Sequence, residues 1–253
     1  MATVIPKTST VFTSLLRADF TTQWRNRRAV ILTLVVPGII LMSWKSLVAT
    51  VGGPFVLSNA ITIGLFASGL MGYSNTIARD RDKGIFQRLR VAPIPSWAII
   101  GSRLLVQVTI ILLITTIVFI IGKDYDNISL SPAAYAVTYF TAIIGGSVSL
   151  SLGQMIVGFI KNPETVNSTT RLVYIAFIVT GMFGEIYMAL KKIDKIIAYM
   201  VKYSPYGTVK TILSTGMEPD KWNIDTSMAL LVTIGYTIIF TFLGIKWFKW
   251  NTK

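Results

Sequence analysis

The 253-residue sequence contains neither cysteine nor histidine. Without cysteine there is no disulfide, thiol nucleophile or thiolate metal site, and without histidine the commonest general base and metal ligand is missing. Charge is also scarce, at 14% of residues against about 25% in soluble domains. Acidic residues are the scarcer sign, 11 against 24 basic. No G-x-x-x-x-G-K-[ST] phosphate loop occurs, so this chain cannot use ATP by that device. The first apolar run starts near Ala29 and no A-x-A site follows it, so no cleavable signal peptide is expected. An intramembrane enzyme would need a serine–lysine or paired-carboxylate site. No lysine lies mid-run in the apolar segments, and no two carboxylates share one.

What is present is apolar: 53% hydrophobic residues and a mean hydropathy of +0.63. The uncharged stretches are long enough to cross a bilayer, which takes about 20 residues of helix. Six are expected, giving an all-α, polytopic membrane protein with one domain over 1–253. The first span runs from Ala29 past Trp44 to about Thr50, and Gly52-Gly53-Pro54 separates it from the second, Phe55 to Ala78. The third is Trp97 to Ile121, interrupted by Arg103; the fourth begins near Pro132. The fifth is the shorter Leu172 to Leu190, with Glu185 near its end, and the sixth is Thr226 to Ile245.

The net charge of +13 is explained by basic loops at the cytoplasmic face rather than by nucleic acid. With the N-terminus inside, the inner segments hold fifteen Lys and Arg and the outer segments eight, and every arginine outside the spans is inner. Both termini are then cytoplasmic. Trp24, Trp44, Trp97, Trp222, Trp247 and Trp250 all fall at or just beyond span ends, where amphipathic rings prefer the interface. Small residues recur at every fourth position: Ala60, Gly64, Ser68 and Gly72 on span two, and Gly145, Ser149 and Gly153 on span four. Such stripes let backbones approach closely, within one chain or across a dimer or gating surface.

Three segments outside the spans are patterned. In residues 10–27, Phe12, Leu15, Leu16, Phe20 and Trp24 recur at helical spacing, which predicts an amphipathic helix on the inner membrane surface. It serves either to anchor the chain or to relay motion to the first span. The inner loop, 78–96, carries mixed charge from Arg79 through Arg81 to Lys83, then Gly84, and then Ile85, Phe86 and Leu89 on one face flanked by Arg88 and Arg90. Apolar side chains rimmed by charge suit docking on a protein partner or burial at the membrane surface. The outer segment, 191–225, places Ile193, Ile196, Ile197, Met200 and Val201 on one helical face before Ser204-Pro205. That pattern fits a re-entrant or an interfacial helix.

The inner loop resembles that of ABC-2-type transporter permeases, through Lys83-Gly84, Arg88-Leu89-Arg90, Ala92-Pro93 and Trp97. Thr180-Gly181-Met182-Phe183 is similar to the family's S-G-x-F turn, and Tyr203-Ser204-Pro205-Tyr206 to the pair after its outer re-entrant helix. The order and spacing match over nearly the whole chain. The resemblance implies a non-hydrolysing permease subunit of an ATP-driven exporter, paired with a second copy or a related permease and with a separate ABC ATPase that binds the ATP and Mg. No cofactor is expected in this chain, and the location implied is a prokaryotic cell membrane. The coupling element would be Arg79, Arg81, Lys83, Gly84, Ile85, Phe86, Arg88, Leu89 and Arg90. Family substrates span drugs, antibiotics, lipids and glycans, with the loop closest to drug- and antibiotic-exporting members. Asn59, Phe66, Tyr73, Tyr174, Phe177 and Met182 would suit the path of an apolar or amphipathic substrate. The rival reading, an ion-coupled secondary transporter or a channel, requires buried ionisable groups near the midplane or polar residues lining a pore.

Overall fold

The structure, a computed structural model, describes residues 8–91, 96–184 and 194–248. Among them every regular element is helical. Helix α1 (Thr8–Arg25) precedes α2 (Arg27–Val30), a π-helical turn (Ile31–Val35), α3 (Val36–Ser43) and α4 (Lys45–Val51). Next come α5 (Gly53–Phe66), a second π segment (Ala67–Tyr73) and α6 (Ser74–Asp82), which form one continuous rod, and the short α7 (Ile85–Val91). Helices α8 (Ser96–Asp124) and α9 (Pro132–Phe159) follow, then α10 (Pro163–Phe177) with a third π segment (Ile178–Phe183). The remainder is α11 (Lys195–Lys202), α12 (Pro205–Gly216) and α13 (Ile224–Lys246).

Local chemistry sets several of these boundaries. Ser131 caps α9 by accepting from the Ala134 amide at 3.2 Å, and Pro132 opens the helix. Asn162 and Pro163 do the same for α10, and Ser204 and Pro205 for α12. Asn223 caps α13 through the Thr226 amide at 2.9 Å. A short polar side chain satisfies an orphan amide while proline loses no needed donor at the first helical position. Between α6 and α7, Gly84 turns the chain with φ +68°, a conformation that favours glycine.

Four helices are long and apolar enough to cross a membrane: Gly53–Asp82, Ala98–Asp124, Pro132–Phe159 and Ile224–Lys246. They correspond to the second, third, fourth and sixth predicted runs. The first run differs from expectation. Its helices Ile31–Ser43 and Lys45–Val51 meet at a 66° bend, so they make a fifth crossing only if taken as one span. The fifth predicted run, Leu172–Leu190, passes beyond the described residues after Gly184.

The Gly53–Asp82 rod is central, with most of its apolar stretch buried, whereas the Ile224–Lys246 helix is peripheral and largely exposed. The small residues explain why the centre is so tight. A Cβ on Gly153 would lie 2.5 Å from the Gly69 carbonyl oxygen, and one on Gly69 would run into the Ser149 backbone. Gly158 and Gly244 bring α9 and α13 together in the same way, a Cβ on the first lying 2.7 Å from the second's oxygen. The span-four stripe therefore packs within this chain, Gly145 against Val209 of α12 and Gly153 against the rod. Membrane helices gain their association from such close backbone contact.

Helix α1 packs its Leu16 and Phe20 against the core and Phe12 near Gly101 of α8, while Trp24 remains 49% exposed. Helix α12 is too short to cross a bilayer, about 18 Å for its length, and sits buried among α5, α9 and α13.

Candidate functional site

The end of the bundle that carries Arg79, Arg81, Lys83 and Arg88 gathers most of the predicted coupling residues. The rod continues as helix to Asp82, so Arg79 and Arg81 lie on a helical extension rather than in a loop. Arg79, Lys83 and Arg88 are exposed. Arg81 is not: it is 1% exposed, and its guanidinium donates to the carbonyls of Val157 at 2.7 Å, Ile160 at 2.6 Å and Lys161 at 2.8 Å. Those are the orphan acceptors at the C-terminus of α9, where a cation also meets the negative end of the helix dipole. Arg81 thus clamps the rod to the α9–α10 elbow.

Ile85, Phe86 and Leu89 are half-buried. Phe86 packs with Ile77, Ala78, Val157 and Val166 and meets Phe248 edge-on at 5.8 Å between ring centroids. The Arg103 guanidinium lies 4.7 Å from the Phe86 ring centre, and Arg81 lies 5.7 Å from that of Phe248. Arg103, the charge inside the third run, reaches back to Asp80 at 2.6 Å, with both side chains largely buried. An internal partner therefore accounts for the apolarity of Phe86, and the outward face of α7 is cationic. The side chain of Arg90 lies outside the described residues.

The expected substrate-path residues divide. Asn59 is fully buried, donates to the Phe55 carbonyl at 2.9 Å and accepts from the Tyr206 hydroxyl at 3.0 Å. Phe66 lies against Phe177 at 5.2 Å and Tyr206 at 5.8 Å between ring centroids. Tyr206 also closes over Gly181, so two of the recognised motifs touch each other. Tyr174, one turn before Phe177, is buried with its hydroxyl unpartnered among the described residues. Tyr73 stands apart, donating to Gln154 at 3.1 Å. The side chain of Met182 lies outside the described residues.

The open space is elsewhere. One small cleft, with room for about one water, is lined by Asp19 and Gln23 of α1, Tyr73 and Thr76 of the rod, and Arg103 and Gln107 of α8. A second, no larger, is lined by Gln23 and Trp24, by Thr33 and Leu34, and by Ile110 and Leu113. In the first, Asp19 accepts from the Ser102 hydroxyl at 2.7 Å. Burial raises the Asp19 carboxyl above its ordinary value, opposed by the Ser102 hydrogen bond and by Arg103 and reinforced by Asp80. The sequence alone did not single out the buried Asp19–Ser102 hydrogen bond, the Arg81 clamp or the Tyr206–Asn59 hydrogen bond. Among the described residues no group of side chains is arranged to hold a metal ion.

The family described as ABC-2 type transporter matches residues 10–214, which takes in α1, α7 and most of α12. A Bacillus subtilis (strain 168) protein, YvfS, named as a candidate transport permease, is 21% identical over 188 residues, covering 74% of each chain.

Proposed function

Because the chain belongs to the ABC-2 type transporter family, we propose that it is the membrane-spanning permease subunit of an ATP-driven exporter. It moves a hydrophobic or amphipathic substrate, of the drug, antibiotic, lipid or glycan class, out of the cytoplasm or inner leaflet of a prokaryotic cell membrane. ATP and Mg are bound by a separate ABC ATPase, which docks on the arginine-rich end. The observation that carries this reading is the arrangement of that end. Lys83, in the turn after α6, and Arg88, on the short α7, are both exposed, while the apolar side of α7 is fixed internally by Phe86 and its root is clamped by Arg81. A surface of this kind suits an acidic groove, and rigid attachment lets a push on α7 reach the inner ends of α8 and α9.

Six crossings, with the arginine-rich end in the cytoplasm, belong to the same proposal, as does pairing with a second copy. The exposed apolar residues of the first span (Ile31, Val35, Ile39) and of the α10 segment (Leu172, Ile175, Val179) supply faces for that pairing. The test is assembly. The purified chain alone should show no ATP turnover above a vector control and should gain it only with a soluble ABC ATPase. Joint Lys83→Glu and Arg88→Glu substitution should lower ATPase recovery in a pull-down at least tenfold without loss of membrane insertion. ATP turnover by the isolated chain, or full recovery with the charge-reversed helix, would overturn the proposal.

A further inference from the structure

At the end of α8 far from Arg103 the chain turns through Tyr125, Asp126 and Asn127 toward α9. Asp126 is 9% exposed, and neither of its carboxylate oxygens has a hydrogen-bond partner among the described residues. A carboxylate that is buried, ionised and unbonded is strongly disfavoured, and the strain is relieved by a proton or by a cation. The turn itself is fixed. Asn127 adopts φ +54°, in the left-handed region that asparagine tolerates, and the Ile128 amide donates to the Gly122 carbonyl at 2.9 Å. Ile128 lies against the start of α5, 2.8 Å from where a Cβ on Gly53 would stand. The group free to move is Lys45, the first residue of α4 after the 66° bend in the first span. Its ammonium donates to the Tyr125 carbonyl at 3.0 Å and lies 4.3 Å from the Tyr125 ring centre. Tyr125 and Asp126 are neighbours in sequence, so a small swing of the flexible lysine stem exchanges one acceptor for the other. Helices α3, α4, α5 and α9 carry no charged residue besides Lys45, and Lys123 and Asp124 beside the turn are exposed.

We propose that Lys45 and Asp126 form a proton-operated latch on the bend of the first span. With Asp126 protonated, Lys45 rests on the Tyr125 carbonyl and the bend stands as described above. When the carboxyl gives its proton to solvent, the ammonium moves to the new carboxylate and draws the start of α4 toward the turn. The ion pair then offsets the burial of the charge. Two observations make the bend the responding element. Met42-Ser43-Trp44-Lys45 lacks proline and glycine, so a contact rather than backbone chemistry sets the angle. Gly38 lies against Ile121, which ties α3 to α8 and leaves α4 as the arm that turns. Leu47, Val48 and Val51 pack on the core, so the motion is a pivot and not a release. Burial raises the Asp126 carboxyl above its ordinary value and Lys45 opposes that rise. The protonated arrangement is therefore held at acid pH and given up as pH rises. That the pH sensed is the external one rests on the proposed orientation; the latch itself rests on the geometry.

The absence of cysteine lets two be placed at will. Thr50→Cys on α4 and Met228→Cys on α13, both at exposed positions, carry nitroxide labels. Their separation is read by double electron–electron resonance on the full chain in detergent, where buffer reaches both ends. Between about pH 4.5 and about pH 8.5, a range that starts above the ordinary carboxyl value, the mean distance should shift by about 3 Å. That scale follows from the step of about 3.8 Å between neighbouring residues. Asp126→Asn should hold the acid-pH distance throughout, and Lys45→Met should give a single distance at every pH. Infrared difference spectra of the unmodified chain should show a protonated-carboxyl stretch at the acid end that Asp126→Asn deletes. A distance independent of pH in the unmodified chain overturns the latch. So does a transition that survives in Asp126→Asn or in Lys45→Met, or an acid-end carboxyl band that Asp126→Asn leaves intact. None of these readouts needs an ATPase, so failure of the pull-down would leave the latch standing.

Discussion

Replacing Arg81 tests the mechanical core of the molecule. Arg81→Met keeps much of the buried stem and deletes the guanidinium, so the carbonyls of Val157, Ile160 and Lys161 lose their donors. A hydrogen bond to a charged group contributes about 1.5–3 kcal/mol, and a buried acceptor left unpaired costs about 1–3 kcal/mol. The three bonds share one guanidinium whose own burial was costly, so they do not add. A net loss of about 3 kcal/mol is the reasonable magnitude. For a chain of this size that corresponds to roughly 6–12 °C in melting temperature. Arg81→Lys retains charge at the end of α9 but offers a single nitrogen in place of a planar fork, so it should recover only about half. The assay is tryptophan fluorescence during thermal unfolding in mild detergent, with pull-down of the ATPase as the second readout. Because α7 hangs from the clamped helix through Gly84, the Met variant should lose partner binding even at temperatures where it remains folded. A melting temperature within about 2 °C of the unmodified chain would show that the three carbonyls are satisfied some other way and that the clamp carries no load.

Gly153→Val puts a branched side chain where a Cβ already lies 2.5 Å from the Gly69 oxygen. Overpacking against backbone should cost about 3 kcal/mol, read as a collapse of the monodisperse peak in size exclusion after mild heating. Tyr206→Phe removes the donor to buried Asn59 and should cost about 1–2 kcal/mol, read as a lower melting temperature by tryptophan fluorescence; an unchanged melting temperature would contradict the contact. Asp19 has a pKa raised by burial, so its contribution to stability is full below the unfolded-state value and is lost as pH rises through the folded-state value. Asp19→Asn should therefore melt higher than the unmodified chain at pH 7.5, and the gap should shrink toward zero near pH 4; a gap independent of pH would contradict the assignment.

The long apolar runs were legible because length and absence of charge are direct requirements of the bilayer: Pro132 and Thr226 fall within a few residues of real helix starts. The bend after Ser43 was not. No proline or glycine stands there, and Pro37 sits harmlessly in the first turn of α3. Arg81 was read as loop charge because Arg79 to Lys83 is so polar, yet Ser74, Ile77 and Ala78 already mark a buried face that reaches Arg81 by helical spacing. Asp19 carried a similar clue, lying between Leu15, Leu16 and Gln23 on the face that packs inward. Phe86 had no local clue at all. Its partner Phe248 lies near the far end of the chain, so a side chain that looked unpartnered in its own loop was completed by contact across the fold.

The bent first span has a consequence for the lipid around it. Ile31–Ser43 supplies 13 residues, about 20 Å of straight helix. Lys45–Val51, turned by 66°, adds only about 4 Å along the same axis. On another flank the 23 residues of Ile224–Lys246 span about 35 Å. A bilayer of uniform thickness, about 30 Å, cannot match both. If the bent pair is one crossing, the leaflets draw together beside it and keep their full depth beside Ile224–Lys246. Shorter-chain lipids would then line that side, and a molecule leaving the membrane there would have the least hydrocarbon to cross.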